Sequence, residues 1–213
     1  MNLLCHRGYW GRSEAQNSLA ALERAIRCGF GVETDIRDCD GVLVVAHDAP
    51  RLASALTLER FLSAYVAAGR RGMLALNIKA DGLQEALQDV LARFSVTRYF
   101  VFDMSVPDTL GYIKRGLPIA VRLSEYEDGR WFFDKADTIW LDAFEGEWYS
   151  REYVVNLLKS GKRVCVVSPE LHKRHHWMIW DELRTIPDSL TQELYLCTDL
   201  FLEAMEVFNV ERD

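Results

Sequence analysis

An α/β architecture, a (β/α)8 TIM barrel, is what two features of this 213-residue chain predict. Short apolar, β-branched runs alternate with longer amphipathic ones, giving about eight strands, and such alternation implies a parallel sheet with helical crossovers. Polar residues able to do chemistry collect just after the apolar runs, and in a barrel functional side chains sit at the carboxyl ends of strands. The competing architecture, an open doubly wound sheet, is weakened because no G-x-G-x-x-G follows the first strand. The chain is shorter than the roughly 250 residues usual for a barrel, so some helices must be abbreviated.

Leu3–Cys5 is a short apolar strand ending at His6-Arg7-Gly8. The spacing of Leu19, Leu22, Ala25 and Ile26 predicts a helix over Ser18–Cys28, with Asn17 or Ser18 as cap and Gly29 as stop. Gly31–Ile36 is a strand, and the Asp40-Gly41 turn leads into the β-branched run Val42–Ala46. A helix over Thr57–Ala68 closes at Gly69 and is followed by a strand, Met73–Ile78. Helix Leu83–Phe94, strand Tyr99–Phe102 and helix Val106–Arg115 continue the pattern, with Gly116 as stop. Ile119–Leu123 and Thr138–Leu141 are strands, and Glu125–Asp134 between them holds at most a short helical turn. Helix Ser150–Ser160, strand Arg163–Val167, a partly helical Leu171–Leu183, strand Leu194–Cys197 and helix Asp199–Phe208 complete the chain.

Composition narrows the class. With 49% hydrophobic and 27% charged residues the chain reads as one globular domain over 1–213. A net charge of −7 argues against a nucleic-acid polymer as partner, which needs a basic face. It leaves room for a small phosphate ester, because a local cation or metal can overrule the global field. No run of about 18 apolar residues offers a membrane span, and the start lacks a basic leader followed by a long apolar region. Five cysteines at irregular spacings, without C-x-x-C, fit small buried hydrophobes in a cytoplasmic protein.

The chemistry-bearing residues lie at successive strand ends. His6 and Arg7 follow the first strand. Glu33 and Asp35 lie two apart on the second and so share a face. His47 and Asp48 follow Val42–Ala46, and Asn77 and Lys79 stand two apart on the next strand. Arg122, Asp142, Glu170 and Asp199 end later strands. Each has a bland reading as a salt-bridge or hydrogen-bond partner. Together they suit phosphodiester cleavage. Two carboxylates on one buried face repel each other, and a divalent cation bound through oxygen relieves this. A metal and cations neutralise phosphoryl oxygens, while two histidines can pass the two protons.

In order and spacing, His6-Arg7-Gly8, Gln16-Asn17-Ser18, Gly31-Val32-Glu33-Thr34-Asp35, Asp40-Gly41 and Val44-Val45-Ala46-His47-Asp48 resemble the glycerophosphodiester phosphodiesterase signature. Leu76-Asn77-Ile78-Lys79 matches that family's later E-x-K element with one change, and weaker echoes lie at Phe102-Asp103 and Cys197-Thr198-Asp199. The resemblance implies the TIM barrel shared with phosphoinositide-specific phospholipases. It also implies a divalent metal ion, Mg2+ or Ca2+, and a small glycerophosphodiester-like substrate. Carried over, His6 and His47 are the acid/base pair, Glu33, Asp35 and Asn77 the metal ligands, and Arg7 and Lys79 the phosphate contacts.

Three departures matter. Asn77 stands where the family has a third carboxylate, and an amide oxygen can bind the ion but brings no charge. Lower metal affinity follows, unless Asp142, Glu170 or a water compensates. Gln16-Asn17 replaces the family's E-N pair. The segment after His47-Asp48 runs straight into the helix at Thr57, so the usual inserted cap subdomain is missing. The alternative is a non-catalytic phosphoester-binding barrel with a weakened metal site. The locally basic stretch Ser168-Pro169-Glu170-Leu171-His172-Lys173-Arg174-His175-His176-Trp177 reads either as a loop that draws in an anion or as a solvated charged turn. Trp140, Trp148, Trp177 and Trp180 read first as packing, with one or two as a sugar-stacking wall.

Overall fold

Alternation of strand and helix is what the computed structural model shows. It describes residues 1–11 and 14–210, apart from the side chain of Leu52. The chain divides into two compact units, residues 5–119 and residues 1–4 with 120–213. Strand β1 (Asn2–His6) contributes its last two residues to the first unit and the rest to the second.

In the first unit the sheet runs β2 (Gly31–Cys39), β5 (Leu74–Ile78) and β6 (Tyr99–Phe102), all parallel. The first six residues of β2 and all of β5 are buried, so these strands read as continuous apolar runs broken only by functional residues. The first departure from expectation is here. β2 extends past Ile36 to Cys39 and pairs antiparallel with β3 (Val42–Val45) across the Asp40-Gly41 turn. β3 in turn pairs antiparallel with the two-residue β4 (Leu56–Thr57). The run Val42–Ala46 is therefore a hairpin arm and not a unit of the strand–helix alternation. The four helices are α1 (Leu19–Arg27), α2 (Leu58–Ala67), α3 (Gln84–Arg93) and α4 (Val106–Lys114). Ser18, Thr57 and Ser105 each accept a backbone N–H from the first turn of α1, α2 and α4. α1 buries Ala21, Leu22, Ala25 and Ile26, a stripe at helical spacing. After α4 the chain meets β6 again, with the Val101 N–H donating to Pro118 O (3.0 Å).

The second unit holds β1, β10 (Leu194–Thr198), β9 (Arg163–Val167), β8 (Thr138–Leu141) and β7 (Ala120–Leu123) in that order. The pairings among β7–β10 are all parallel. Its helices are α5 (Arg151–Lys159), α6 (Trp177–Arg184) and α7 (Phe201–Phe208). The abbreviation expected for so short a chain falls between β7 and β8, where the connection keeps only a 3-10 turn, Phe133–Lys135. The stretch read as partly helical from Leu171 resolves into a 3-10 turn, Pro169–His172, and α6. Trp140 and Trp180 are buried, whereas Trp177 is half exposed. All five cysteines are free thiols. Among the described residues no helix is long and apolar enough to cross a membrane.

Candidate active site

The site residues expected from sequence fall in the first unit, on or just past the four strands β1, β2, β3 and β5. At the end of β1 the chain turns sharply. Arg7 takes a positive φ of 56° and Gly8 one of 93°. A side chain on Gly8 would drive its Cβ to 2.8 Å from the Ala21 carbonyl carbon, so the turn can lie against α1 only with glycine there. The Arg7 N–H donates to Glu33 O (2.9 Å) and also lies 3.3 Å from Glu33 Oε2. Asn17, again at positive φ, closes the other side, its N–H donating to Arg7 O (2.9 Å).

On β2, Glu33 and Asp35 are 2% and 0% exposed. Asp35 lies directly across from Asn77 in the β2–β5 register, which sets the two on one face. Asp35 Oδ2 accepts from Asn17 Nδ2 (2.7 Å) and forms an ion pair with Arg7 Nε (3.0 Å). Thr34 Oγ1 donates to Asn17 Oδ1 (2.7 Å), which fixes the amide's orientation. Lys79, one residue beyond β5, sends Nζ to 3.6 Å from Asp35 Oδ1 and 3.4 Å from Asp103 Oδ2. His6 Nε2 stands 3.9 Å from Glu33 Oε2. Burial pushes the Glu33 carboxyl above its usual range. His6 and Arg7 oppose that rise, Asp35 adds to it, and a hydrogen bond from the Asn77 side chain opposes it too.

Two oxygens of this cluster, Asp35 Oδ1 and Asn77 Oδ1, are buried and accept no hydrogen bond. A buried acceptor without a hydrogen bond costs about 1–3 kcal/mol; Asp35 Oδ1 has the Lys79 ammonium at 3.6 Å, and Asp35 and the Asn77 side chain both act on the Glu33 carboxyl. Such an all-oxygen set suits a hard divalent cation, so the residues present fit one. Among the described residues no group of three His, Cys, Asp or Glu side chains could hold a metal.

His47 goes elsewhere. Its ring hydrogen-bonds through Nδ1 to Asp48 (2.9 Å), and its carbonyl accepts from Arg37 (3.3 Å). It lines a cleft of about 650 Å3 together with Arg7, Gln16 and Asn17. The structure thus joins His6, Arg7, Glu33, Asp35, Asn77 and Lys79 in one polar network, with His47 reaching the cleft that Arg7 shares.

Similarity to solved structures runs over nearly the whole chain. A glycerophosphodiester phosphodiesterase from Parabacteroides distasonis is 20% identical, with 98% of this chain and 96% of that one covered at a TM-score of 0.71. One from Agrobacterium tumefaciens is 18% identical over 96% and 99%, TM-score 0.69. An Oleispira antarctica phosphodiesterase in complex with the product sn-glycerol-3-phosphate is 16% identical over 98% and 97%, TM-score 0.69. The fold is a (β/α)8 barrel. No protein-family model matches the chain, and no curated protein matches it by sequence. Within this barrel, β3 and β4 add a hairpin arm to the strand–helix alternation, and only residues 49–55 separate the His47-Asp48 turn from β4.

The later strand ends, left open by the sequence, belong to the second unit and are engaged there. Asp142 pairs with His172 Nε2 (2.7 Å) and stands 3.7 Å from Arg122 Nε. Glu170 accepts from Ser168 Oγ, Thr198 Oγ1 and the Asp199 N–H. Part of the basic run is held by pairing. Arg174 binds Glu147 and Ala143 O, and His176 Nε2 lies 3.3 Å from Glu203. Sequence reasoning singled out neither Arg51 nor Arg60, which line the His47 cleft. Their position in and just after the shortened segment was the available signal.

Proposed function

We propose that the protein is a metal-dependent phosphodiester hydrolase acting on a small glycerophosphodiester-like substrate. The observation that carries the reading is a pair of buried oxygens, Asp35 Oδ1 and Asn77 Oδ1, that accept no hydrogen bond, set beside Glu33 among His6, Arg7 and Lys79. Whole-length likeness to solved phosphodiesterases, one of them holding sn-glycerol-3-phosphate, supports it. Glu33, Asp35 and Asn77 would hold Mg2+ or Ca2+, which when bound withdraws charge from phosphoryl oxygens.

The side chains supply the rest. Arg7, fixed by Asp35 and Gln16, and Lys79 orient the phosphate. His47 is held through Nδ1 by Asp48, which leaves Nε2 to accept or give a proton. His6 is the second proton carrier. Hydrolysis forms a bond from a water oxygen to phosphorus and breaks the bond to the leaving alcohol. One imidazole takes the water proton and the other protonates the departing alkoxide, so one water is consumed per diester.

Purified protein with Mg2+, Mn2+ or Ca2+ hydrolyses bis(p-nitrophenyl) phosphate, and EDTA stops it. Tight phosphoester binding without turnover under any of these metals would instead establish the non-catalytic barrel that the Asn77 amide favours.

A further inference from the structure

The cleft beside His47 lies wholly within residues 5–119 and adjoins the proposed phosphodiester centre through Arg7, Asn17 and His47, while Glu33, Asp35, Asn77 and Lys79 do not line it. At about 650 Å3 it has the size of a pocket that buries an entire small ligand. Its lining includes Arg7, His47, Arg51 and Arg60 against one acid, Asp48. Arg7 is already committed to Asp35 and Gln16. Asp48 is hydrogen-bonded to His47. Arg51 and Arg60 are different: both are exposed, and neither guanidinium has a carboxylate partner among the described residues. The acid nearest Arg60 in sequence, Glu59, is taken by Arg93 at 2.8 Å.

Both arginines stand on fixed backbone. The carbonyl of Arg51 accepts from the N–H (3.0 Å) and hydroxyl (3.2 Å) of Ser54, which closes the 3-10 turn Leu52–Ser54. Arg60 sits in the first turn of α2, its N–H donating to Thr57 Oγ1 (3.3 Å). The chain's net charge of −7 does not cancel them, because exposed charges beyond about 8 Å are screened at physiological salt. Two unpaired guanidinium groups facing one cleft form a receptor for a planar or tetrahedral oxyanion.

From this we infer that the substrate is a phosphodiester whose alcohol carries a second anionic group, a phosphate or a carboxylate, bound by Arg51 and Arg60. The inference rests on the hydrolase reading for its first anion and adds the second. It replaces a neutral glycerol end, in a protein whose missing cap leaves that end uncovered.

Three p-nitrophenyl phosphodiesters with second alcohols ending in a hydroxyl, a carboxylate or a phosphate test it. The anionic tails raise kcat/KM roughly tenfold or more over the hydroxyl tail through KM, and the better of the two names the group. That ratio falls in Arg51→Gln and Arg60→Gln, collapses in the double variant, and shrinks with added salt. It stays in Lys114→Gln, which removes a charge outside the cleft. Equal kcat/KM for all three tails, or a ratio untouched by the double variant, overturns the inference. Calorimetric titration with propane-1,3-diyl bisphosphate against propyl phosphate separates it from the hydrolase reading. Tighter binding of the bisphosphate that the double variant loses supports the second-anion site even without turnover. Equal binding of the two sinks it even when the hydroxyl-tailed diester is hydrolysed.

Discussion

Residues 5–119 and residues 120–210 each present a buried carboxylate near a histidine at a strand end, and the two are finished differently. Asp142, 3% exposed, pairs with His172 at 2.7 Å and accepts from the Ala143 N–H at 3.0 Å. Glu170 nearby in sequence takes three donors. Glu33 and Asp35 are as deeply buried, and Asp35 pairs with Arg7 and Lys79 and accepts from Asn17, yet Asp35 Oδ1 and Asn77 Oδ1 accept no hydrogen bond. A satisfied carboxylate fastens a loop. A buried oxygen without a hydrogen bond costs stability that a bound ligand can return. The proposed chemistry of residues 5–119 rests on that difference.

The largest effects should fall on the unfinished site. His6→Ala and His47→Ala each reduce turnover by about 10²–10⁴-fold in a steady-state assay with metal, with circular dichroism unchanged. Activity retained in either would remove that histidine from proton transfer. Asn77→Glu supplies the missing charge and tightens divalent-cation binding by about tenfold in a calorimetric titration; unchanged affinity would place the ion elsewhere. Asp142→Ala reverses the pattern, costing about 1–3 kcal/mol in urea unfolding while turnover changes far less than in the histidine variants. A stable but inactive Asp142→Ala would blur the contrast between the regions.

The smallest effect is a pH effect. Burial raises the Glu125 carboxyl, but its own N–H and those of Glu145, Phe144 and Gly146 outweigh that and hold it below the usual value of 4.5. A depressed folded pKa gives stability that is present above 4.5 and lost as pH falls through the folded value. Glu125→Gln should therefore lower Tm by no more than about 2 °C at neutral pH, with the gap to wild type closing under acid. A gap that widened on acidification would have the wrong sign.

Some of this was legible in the chain. Period-2 and period-3.6 patterns, with serine and threonine caps, placed the strands and helices because backbone hydrogen bonding and burial are local demands. The HRG, E-x-D and HD elements placed Glu33 and Asp35 on one face because a strand's side chains alternate. The hairpin was partly hidden, since Val42–Val45 is as β-branched as any parallel strand and only its antiparallel partner shows what it is. The basic run around Arg174 read as an anion-drawing loop or as a solvated charged turn, whereas Arg51 and Arg60 drew no notice. Which cations are already paired depends on residues far away in sequence, such as Glu147 for Arg174 and Arg93 for Glu59.

Sequence alone therefore determined the order of elements and the donor types at each strand end, an amide at position 77 among them, because these follow from residue identity and nearest-neighbour geometry. Tertiary structure alone decided which of those groups are neutralised, which oxygens are left without a donor and which guanidinium groups remain free. Pairing energy depends on distance and burial, and neither is written in the spacing of residues along the chain.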